Sequence, residues 1–490
     1  MLDVDREAIT DGPVGRVLLL LAAPLVAQNL VYVANALVDT FWLGRVSEDA
    51  VAAVGLSLPI QSFLGAVVVV AAVGTQILVA QRAGGGDDRG ARRVAVNGSI
   101  VALAVTAAVA IPAAVYAEEL VRFLGADPAL AGTTAAYLAI VVAVLPVGAV
   151  GDTVENCITA YGDTRAVLHV SVTSVLVNLI AAPVLIFGVD PAPELGVAGA
   201  ALGTALAGVA GLVHVLAYAA GVGRDTFRLT RDALVVDAGD LREVVSVGLP
   251  LGGQRGVSEL VRVLVVGLVA IAGGAAGVAA YTVGARVATL AVVPALGVQQ
   301  AAQSMIGQNL GAEAPRRARR TTTVGTGMVV AAFLGLGAVQ FLFAGELADL
   351  LAPDLTPAGR SLAVLYLRIL AGSYWALGGT YTLLAGFNGT SRTRTSFVAD
   401  LVKYWGVRFP IAVAAVPATA TFGAFGVALA PGLGWGVEAV FWAVAVSNVV
   451  GFLGLGAYFA YTTRQGMFAN AAERASDGGS GSAAETADDD

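Results

Sequence analysis

Val31 to Pro59 reads VYVANALVDTFWLGRVSEDAVAAVGLSLP. An apolar run carries one carboxylate, Asp39, close to its end; a short polar turn follows, and then a second apolar run begins. A charge held inside a membrane-spanning segment is costly and marks a functional site by default. The composition around this stretch makes the apolar runs membrane spans. Of 490 residues, 57% are hydrophobic and 13% charged, with a mean hydropathy of +0.80; a soluble domain carries roughly 25% charged residues. The 61 glycines suit helices that pack closely in lipid.

A span needs about 20 apolar residues, and twelve such runs are present, near 17–43, 54–81, 94–117, 132–160, 167–188, 196–221, 246–272, 277–306, 322–344, 361–387, 396–418 and 433–462. The expected fold is all-α and integral to the membrane, with twelve transmembrane helices. Arginines alternate between the loops. One set of loops and the two termini hold 19 basic residues, the other loops only Arg45, Arg122 and Arg360. The positive-inside rule then puts both termini in the cytoplasm of a multi-pass plasma-membrane protein, as an even span count also requires. Met1–Arg16 mixes Asp3, Asp5, Glu7 and Asp11 with two arginines and is not a cleavable signal.

The chain repeats itself. Gln76…Gln81-Arg82-Ala83-Gly84…Arg92-Arg93 answers Gln303…Gln308-Asn309-Leu310-Gly311…Arg319-Arg320 at an offset of 227 residues, as Pro183 answers Pro410. Pro24 answers Pro250 at 226. Six spans per repeat is an even number, so the expected lobes share one topology and are related by a pseudo-two-fold axis along the membrane normal, as in alternating-access transporters. The organisation is a cytoplasmic N-terminus (1–16), an N-lobe (17–222), a mixed-charge linker (223–245), a C-lobe (246–463) and a tail (464–490) whose Ala/Gly/Ser/Asp composition reads as disordered. The linker reads equally as a surface helix or a solvated loop.

Several classes are excluded. One cysteine, Cys157, permits no intrachain disulfide, and with only His169 and His214 no histidine- or cysteine-rich metal centre is expected. A net charge of −7 with no basic patch offers nothing to nucleic acid. No cofactor is expected; the partners are a small organic substrate and membrane lipid, and the chain is read as a monomer without enzymatic activity.

Val38-Asp39-Thr40-Phe41-Trp42-Leu43-Gly44 followed by Ala52-Ala53-Val54-Gly55-Leu56 resembles the first-span signature of the multidrug and toxic compound extrusion family. Gly162-Asp163-Thr164, Asn178 with Pro183 to Gly188, Gly196 to Ala201 and Gly307 to Ala312 resemble later segments of that family. The resemblance spans about residues 14–462. It implies two six-helix lobes in a V that export amphipathic organic, cationic compounds in exchange for H⁺ or Na⁺. One position departs: where such relatives carry a span-5 aspartate four residues after the asparagine, this chain has Ala182.

At 1.5 Å per helical residue, Asp39 and Tyr137 fall about one turn from the outer end of their spans, Thr204 about two turns in and Asn178 near mid-span. These four are the candidate cation or proton site, aligned with the family's polar positions. For Tyr137 an interface aromatic, and for Thr204 an ordinary helix hydroxyl, are equal alternatives. Asp152 and Asn156 share a helix face with Glu155 beside them; they are either the replacement carboxylate site or a polar helix end. Glu259 resembles a family glutamate, and alternatively pairs with Arg255 and Arg262. Asp400 and Lys403 are expected to pair with each other. Pro24 removes a helix hydrogen bond and is the candidate bending point of span 1. Two rivals remain: a lipid-linked oligosaccharide flippase, which needs a cationic central cavity drawing on Arg255, Arg262, Arg286, Arg368 and Arg408, and a membrane-embedded lipid enzyme, for which no Ser/His/Asp or metal cluster speaks.

Overall fold

The computed structural model describes residues 6–123, 128–190, 192–221, 227–353, 355–417, 421–422, 427–428 and 432–484. In order, the helices are α1 (Arg6–Asp11), α2 (Val14–Gly44), α3 (Glu48–Gly84), α4 (Asp88–Val115), α5 (Ala117–Phe123), α6 (Pro128–Ala160), α7 (Thr164–Phe187), α8 (Gly196–Ala219), α9 (Ala238–Gly311), α10 (Pro315–Leu342), α11 (Ala344–Leu351), α12 (Pro357–Ala371), α13 (Tyr374–Gly389), α14 (Thr393–Leu401), α15 (Phe409–Ala414), α16 (Val437–Arg464) and α17 (Met467–Ala484). Two two-residue strands, β1 (Thr421–Phe422) and β2 (Val427–Ala428), pair between α15 and α16. The polar turns between apolar runs start the next helix by capping it. Ser47 Oγ accepts from the Ala50 N–H at 3.0 Å, and Asp87 and Asp163 do the same for Gly90 and Ala166 at 2.8 and 3.1 Å. Asp237 caps α9 by accepting from the Asp240 N–H at 2.8 Å, a bond that holds its carboxyl below the ordinary range.

Among the described residues, nine helices are long and apolar enough to cross a membrane, or ten when α12 and α13, bent by 45°, count as one broken span. The difference from the twelve apolar runs lies in two places. α9 is 74 residues long, about 110 Å if straight, yet both of its ends lie against α3. A Cβ on Gly248 would stand 1.7 Å from the Val70 carbonyl oxygen, and one on Gly311 1.9 Å from that of Gln81. The chain therefore doubles back, and it does so at Gly274, whose φ of 55° and ψ of −155° are open to glycine. The other place is 393–414, where a seven-residue π-helix, Val402–Arg408, sits between the short α14 and α15.

The repeat seen in the sequence is built into the contacts. Gln81 Nε2 donates to the Gly389 carbonyl at 2.9 Å and to Ser391 Oγ at 3.0 Å. Its counterpart, Gln308 Nε2, donates to the Ala160 carbonyl at 2.5 Å, so each half reaches into the same region of the other. Gln76 bridges them, donating to Ser304 Oγ at 2.9 Å and accepting from Gln303 Nε2 at 3.3 Å. Gly84 and Gly311 complete the crossing: a Cβ on Gly84 would lie 2.2 Å from the Gln308 carbonyl oxygen.

These contacts sit at the end of the molecule where the arginine clusters lie, and there the two halves share a core. Leu18, Leu21 and Leu25 of α2 pack with Ala301, Met305, Ile306 and Leu310 of α9. Val244, Val247 and Leu251 of α9 join the core of α3, α4 and α6. Toward the opposite end the cores separate: Leu43, Tyr137 and Ile186 cluster within the first half, and Val265, Val283, Tyr366 and Phe441 within the second.

The expected disordered tail is corrected in part. Met467, Phe468, Ala471 and Ala472 form an apolar stripe that buries against the shared core, and the segment is helical as α17 through its Gly/Ser-rich stretch to Ala484. Residues 485–490 lie outside the described residues, as do Arg224 and Asp225 of the linker. The described end of the linker is tied down: Arg82 reaches Asp240 and Glu243 at 2.8 and 3.0 Å, and Arg93 reaches Asp240 at 2.7 Å. The N-terminus is docked as well. Ile9 is fully buried, and the Arg317 guanidinium donates to its carbonyl at 3.1 Å.

Gly84→Ala is predicted to destabilise the protein by about 1–3 kcal/mol through overpacking. Gly327→Ala, whose Cβ would meet nothing within 4 Å, should leave the Tm in detergent unchanged. Equal melting curves for the two variants would contradict the crossing.

Candidate functional site

A cavity of about 600 Å³ runs through the first half. Its walls come from α2, α3, α6, α7 and α8, with Gln300 of α9 entering from the second half. Gly65, Gly148, Gly151, Gly208 and Gly211 leave space where side chains would fill it. The polar lining includes Gln28, Asn29, Asn35, Asn178, Thr204, Asp152, Glu155 and Asn156 and, among the described residues, no lysine or arginine.

Two polar clusters stand at different depths of this wall. Asp39 is the centre of the first, about one turn from the end of α2 opposite the arginine clusters; its partners Asn35 and Asn178 line the cavity, and Asp39 lies behind them. Its Oδ1 accepts from Asn178 Nδ2 at 2.6 Å and its Oδ2 from Asn35 Nδ2 at 3.1 Å. Asn178 Nδ2 also donates to Asn35 Oδ1 at 3.0 Å, while Asn178 Oδ1 is buried with no partner. Asp39 Oδ1 and Asn35 Oδ1 thus share the Asn178 amide donor, and the Asn178 carbonyl oxygen is left as a spare acceptor among the described residues. Such a hard-oxygen set fits Na⁺, and the carboxylate alone suffices for a proton.

The second cluster lies some 16 Å away along α2. Gln28 Nε2 donates to Glu155 Oε2 at 3.1 Å and to Ser171 Oγ at 2.9 Å, and the Ser171 hydroxyl donates to Tyr32 Oη at 3.0 Å. Glu155 is buried, whereas Asp152 faces the cavity.

Of the predicted site residues, the structure brings Asp39 and Asn178 into direct contact and puts Thr204 on the cavity wall, its hydroxyl turned to the Ala200 carbonyl at 3.2 Å. Tyr137 is buried in the apolar cluster with Leu43, Ala182 and Ile186 and does not line the cavity. Ala182 packs where α7 meets α8: a Cβ on Gly203 would lie 2.8 Å from its Cα. A close helix contact occupies the place of the missing aspartate. Asp152 and Asn156 line the cavity, Asn156 donating to the Asp152 carbonyl at 2.8 Å. α2 runs through Pro24 without interruption. Sequence reasoning missed Asn35, although its position four residues before Asp39 places it on the same helix face. It also missed Gln28, whose amide carries the second cluster.

The second half is different. A pocket of about 210 Å³, sharing Val69, Val73 and Gln300 with the first cavity, is lined by Arg255, Arg262, Asp400, Lys403, Tyr381 and Tyr404 among others. Glu259 pairs with Arg255 at 3.0 Å and Arg262 at 3.3 Å. The expected Asp400–Lys403 pair is absent among the described residues. Asp400 instead accepts from Gln254 Nε2 at 2.8 Å, because the π-helix that begins at Val402 changes the register of the following side chains. Arg408 donates to Ser447 and Asn448 at 2.9 and 3.2 Å. Arg368 lies 5.5 Å from the Phe341 ring centroid, and Arg286 is exposed. No group of three or more His, Cys, Asp or Glu able to hold a metal occurs among the described residues.

Comparison with known proteins bears on this geometry. The MatE family model matches twice, over residues 24–184 and 256–414, once in each half. The "Probable multidrug resistance protein NorM" of Pseudomonas aeruginosa is 29% identical over 460 residues, covering 91% of this chain and 89% of that protein. The "FAD transporter" of Shewanella oneidensis is 23% identical over 421 residues, covering 83% and 89%. A solved structure described as an outward-facing multidrug resistance MATE family transporter superposes with a TM-score of 0.82 at 22% identity, covering 93% of this chain and 98% of that one.

Gln28→Leu removes the donor that satisfies buried Glu155 and is predicted to cost about 1–3 kcal/mol. Adding Glu155→Gln should recover part of the loss in thermal unfolding. A single variant as stable as the parent would show that the Gln28–Glu155 bond contributes nothing.

Proposed function

Because the chain belongs to the MatE family of multi-pass multidrug efflux transporters, we propose that it is a secondary antiporter exporting amphipathic organic compounds with a cationic group in exchange for H⁺ or Na⁺. One observation carries this reading. Asp39 is held by Asn35 and Asn178, two residues that line a large cavity whose other polar walls include Asp152 and Glu155 and, among the described residues, no basic side chain, so a cation and a cationic substrate group compete for the same region of negative charge. The first cavity does not supply the positive charge that the flippase alternative requires; of the arginines that alternative draws on, Arg255 and Arg262 line the second pocket.

The proposed topology has twelve spans. The limbs of α9 on either side of Gly274 are two of them, α12 with α13 is one, and 393–414 is the eleventh. The arginine-rich end is cytoplasmic by the positive-inside rule, and with it both termini of a plasma-membrane monomer. The end closed by Gly84 and Gly311 then faces inward, and the cavity belongs to an outward-open state. Binding of the coupling ion at Asp39 weakens the hold on substrate and releases it outside. The lobes then rock about the crossing, with α2 bending at Pro24, and the ion is discharged inside. Coupling requires that the ion interact differently with the two states; without that difference no population shifts.

In proteoliposomes loaded with a fluorescent organic cation, the parent protein should transport under an imposed pH gradient or an imposed Na⁺ gradient. Asp39→Asn should lower the rate at least about tenfold, as expected for loss of a charge-assisted interaction. Equal transport by Asp39→Asn and the parent under both gradients would overturn the mechanism.

A further inference from the structure

The two cavities carry opposite charge. Asp152 and Glu155 face the first, with Asp39 beside it. The pocket in the second half has Arg255, Arg262 and Lys403 against Asp400, and Glu259 shared between the two arginines. Behind it lies Arg408. Two of these cations have no carboxylate within ion-pair distance among the described residues, and both are buried: Lys403 is 4% exposed and Arg408 7%. They flank one ring, the Lys403 ammonium 5.1 Å and the Arg408 guanidinium 4.5 Å from the Tyr404 centroid. Arg408 has Ser447 and Asn448 as neutral acceptors; Lys403 has only the face of Tyr404. Lys403 lies about 15 Å along the helix from Thr393, near the depth where an unpaired charge is most costly and therefore marks a site.

We propose that this pocket is an anion-binding subsite that takes the carboxylate or phosphate of an aromatic cargo. Lys403 and Arg262 hold the anionic group, and Tyr381 and Tyr404 pack against the ring. The pocket supplies what such a ligand needs: one cation, Lys403, without a counter-charge among the described residues, the Arg262 guanidinium fork beside it, which shares Glu259 with Arg255, and two aromatic walls. Its position against the acidic cavity, with Val69, Val73 and Gln300 as common walls, favours cargo with an anionic and a cationic end, one held in each half. The reading of the ligand as cargo rests on the transport function proposed above; anion binding itself does not.

The test is equilibrium binding to the purified protein in nanodiscs of phosphatidylcholine, with 1-naphthoate and 1-naphthyl phosphate as probes and uncharged 1-naphthalenemethanol as reference. Both anions should bind more tightly than the alcohol. Lys403→Met, which keeps the chain length and removes the charge, should weaken anion binding by about tenfold or more and leave the alcohol unchanged. Lys403→Arg should restore binding. The proposal is overturned if the parent does not distinguish anion from alcohol, or if Lys403→Met binds the anions as the parent does. It is also overturned if nanodiscs containing phosphatidylglycerol abolish naphthoate binding, which would assign the pocket to a lipid phosphate. Binding that behaves as predicted in a protein that fails to transport would instead count against the antiport reading alone.

Discussion

The backbone of α3 touches the backbone of α9 at Gly84 and Gly311, at distances that leave no room for a β-carbon on either, and the architecture follows from that contact. It is self-complementary: Gly84 faces the Gln308 carbonyl and Gly311 faces the Gln81 carbonyl, two pairs related by the 227-residue repeat. A contact of this kind fixes an approximate two-fold relation between the halves at one end while asking nothing of the other end. The amide NH2 groups of glutamines 76, 81, 303 and 308 then all find acceptors across the same seam, while the Gln308 amide oxygen is left without a partner among the described residues. That matters in lipid, where a buried polar group without a partner costs several kcal/mol.

Away from the seam each half has its own apolar core, and the space between core and seam is where the ionisable groups stand. Their arrangement is graded. Glu155 is tied to Gln28, Glu259 is shared by two arginines, and the linker carboxylates Asp240 and Glu243 are held by Arg82 and Arg93. Asp39, like Glu155 and unlike the carboxylates held by arginine, has neutral amides as its partners. An amide orients a carboxylate without neutralising it, so the charge at Asp39 stays available to an incoming cation. Lys403, on the opposite side of the midline, is left similarly without a counter-charge.

Much of this was legible in the sequence because bilayer thickness and repeat offset are one-dimensional quantities. The apolar runs located the helices, and the offset located the residues that later proved to form the seam. Depth counting put Asp39 and Asn178 at compatible levels, and they are bonded. What depth cannot give is azimuth. Tyr137 lies within electrostatic reach of Asp39 with its hydroxyl bonded to Gln61, yet its ring packs in the apolar cluster around Ala182 rather than on the cavity wall, and Asp400 turns to Gln254 rather than Lys403 because a π-helix begins between them. Asn35 was readable from its i−4 spacing and was passed over beside a charged neighbour. The long α9 and the helical start of the tail depend on one glycine torsion and on a short apolar stripe, signals too local for a hydropathy window.

The central claim is that occupation of Asp39 selects which end of the molecule is open. It is tested most directly by pulsed spin-label distances in lipid, in a Cys157→Ala background. One label pair, at positions 89 and 319, spans the arginine-rich end, and the other, at 46 and 271, spans the opposite end. On lowering the pH or adding Na⁺, the two distance distributions should shift in opposite directions, and Asp39→Asn should abolish the response while leaving both distributions well defined. A response in Asp39→Asn equal to that of the parent, or two ends that open and close together, would contradict the account.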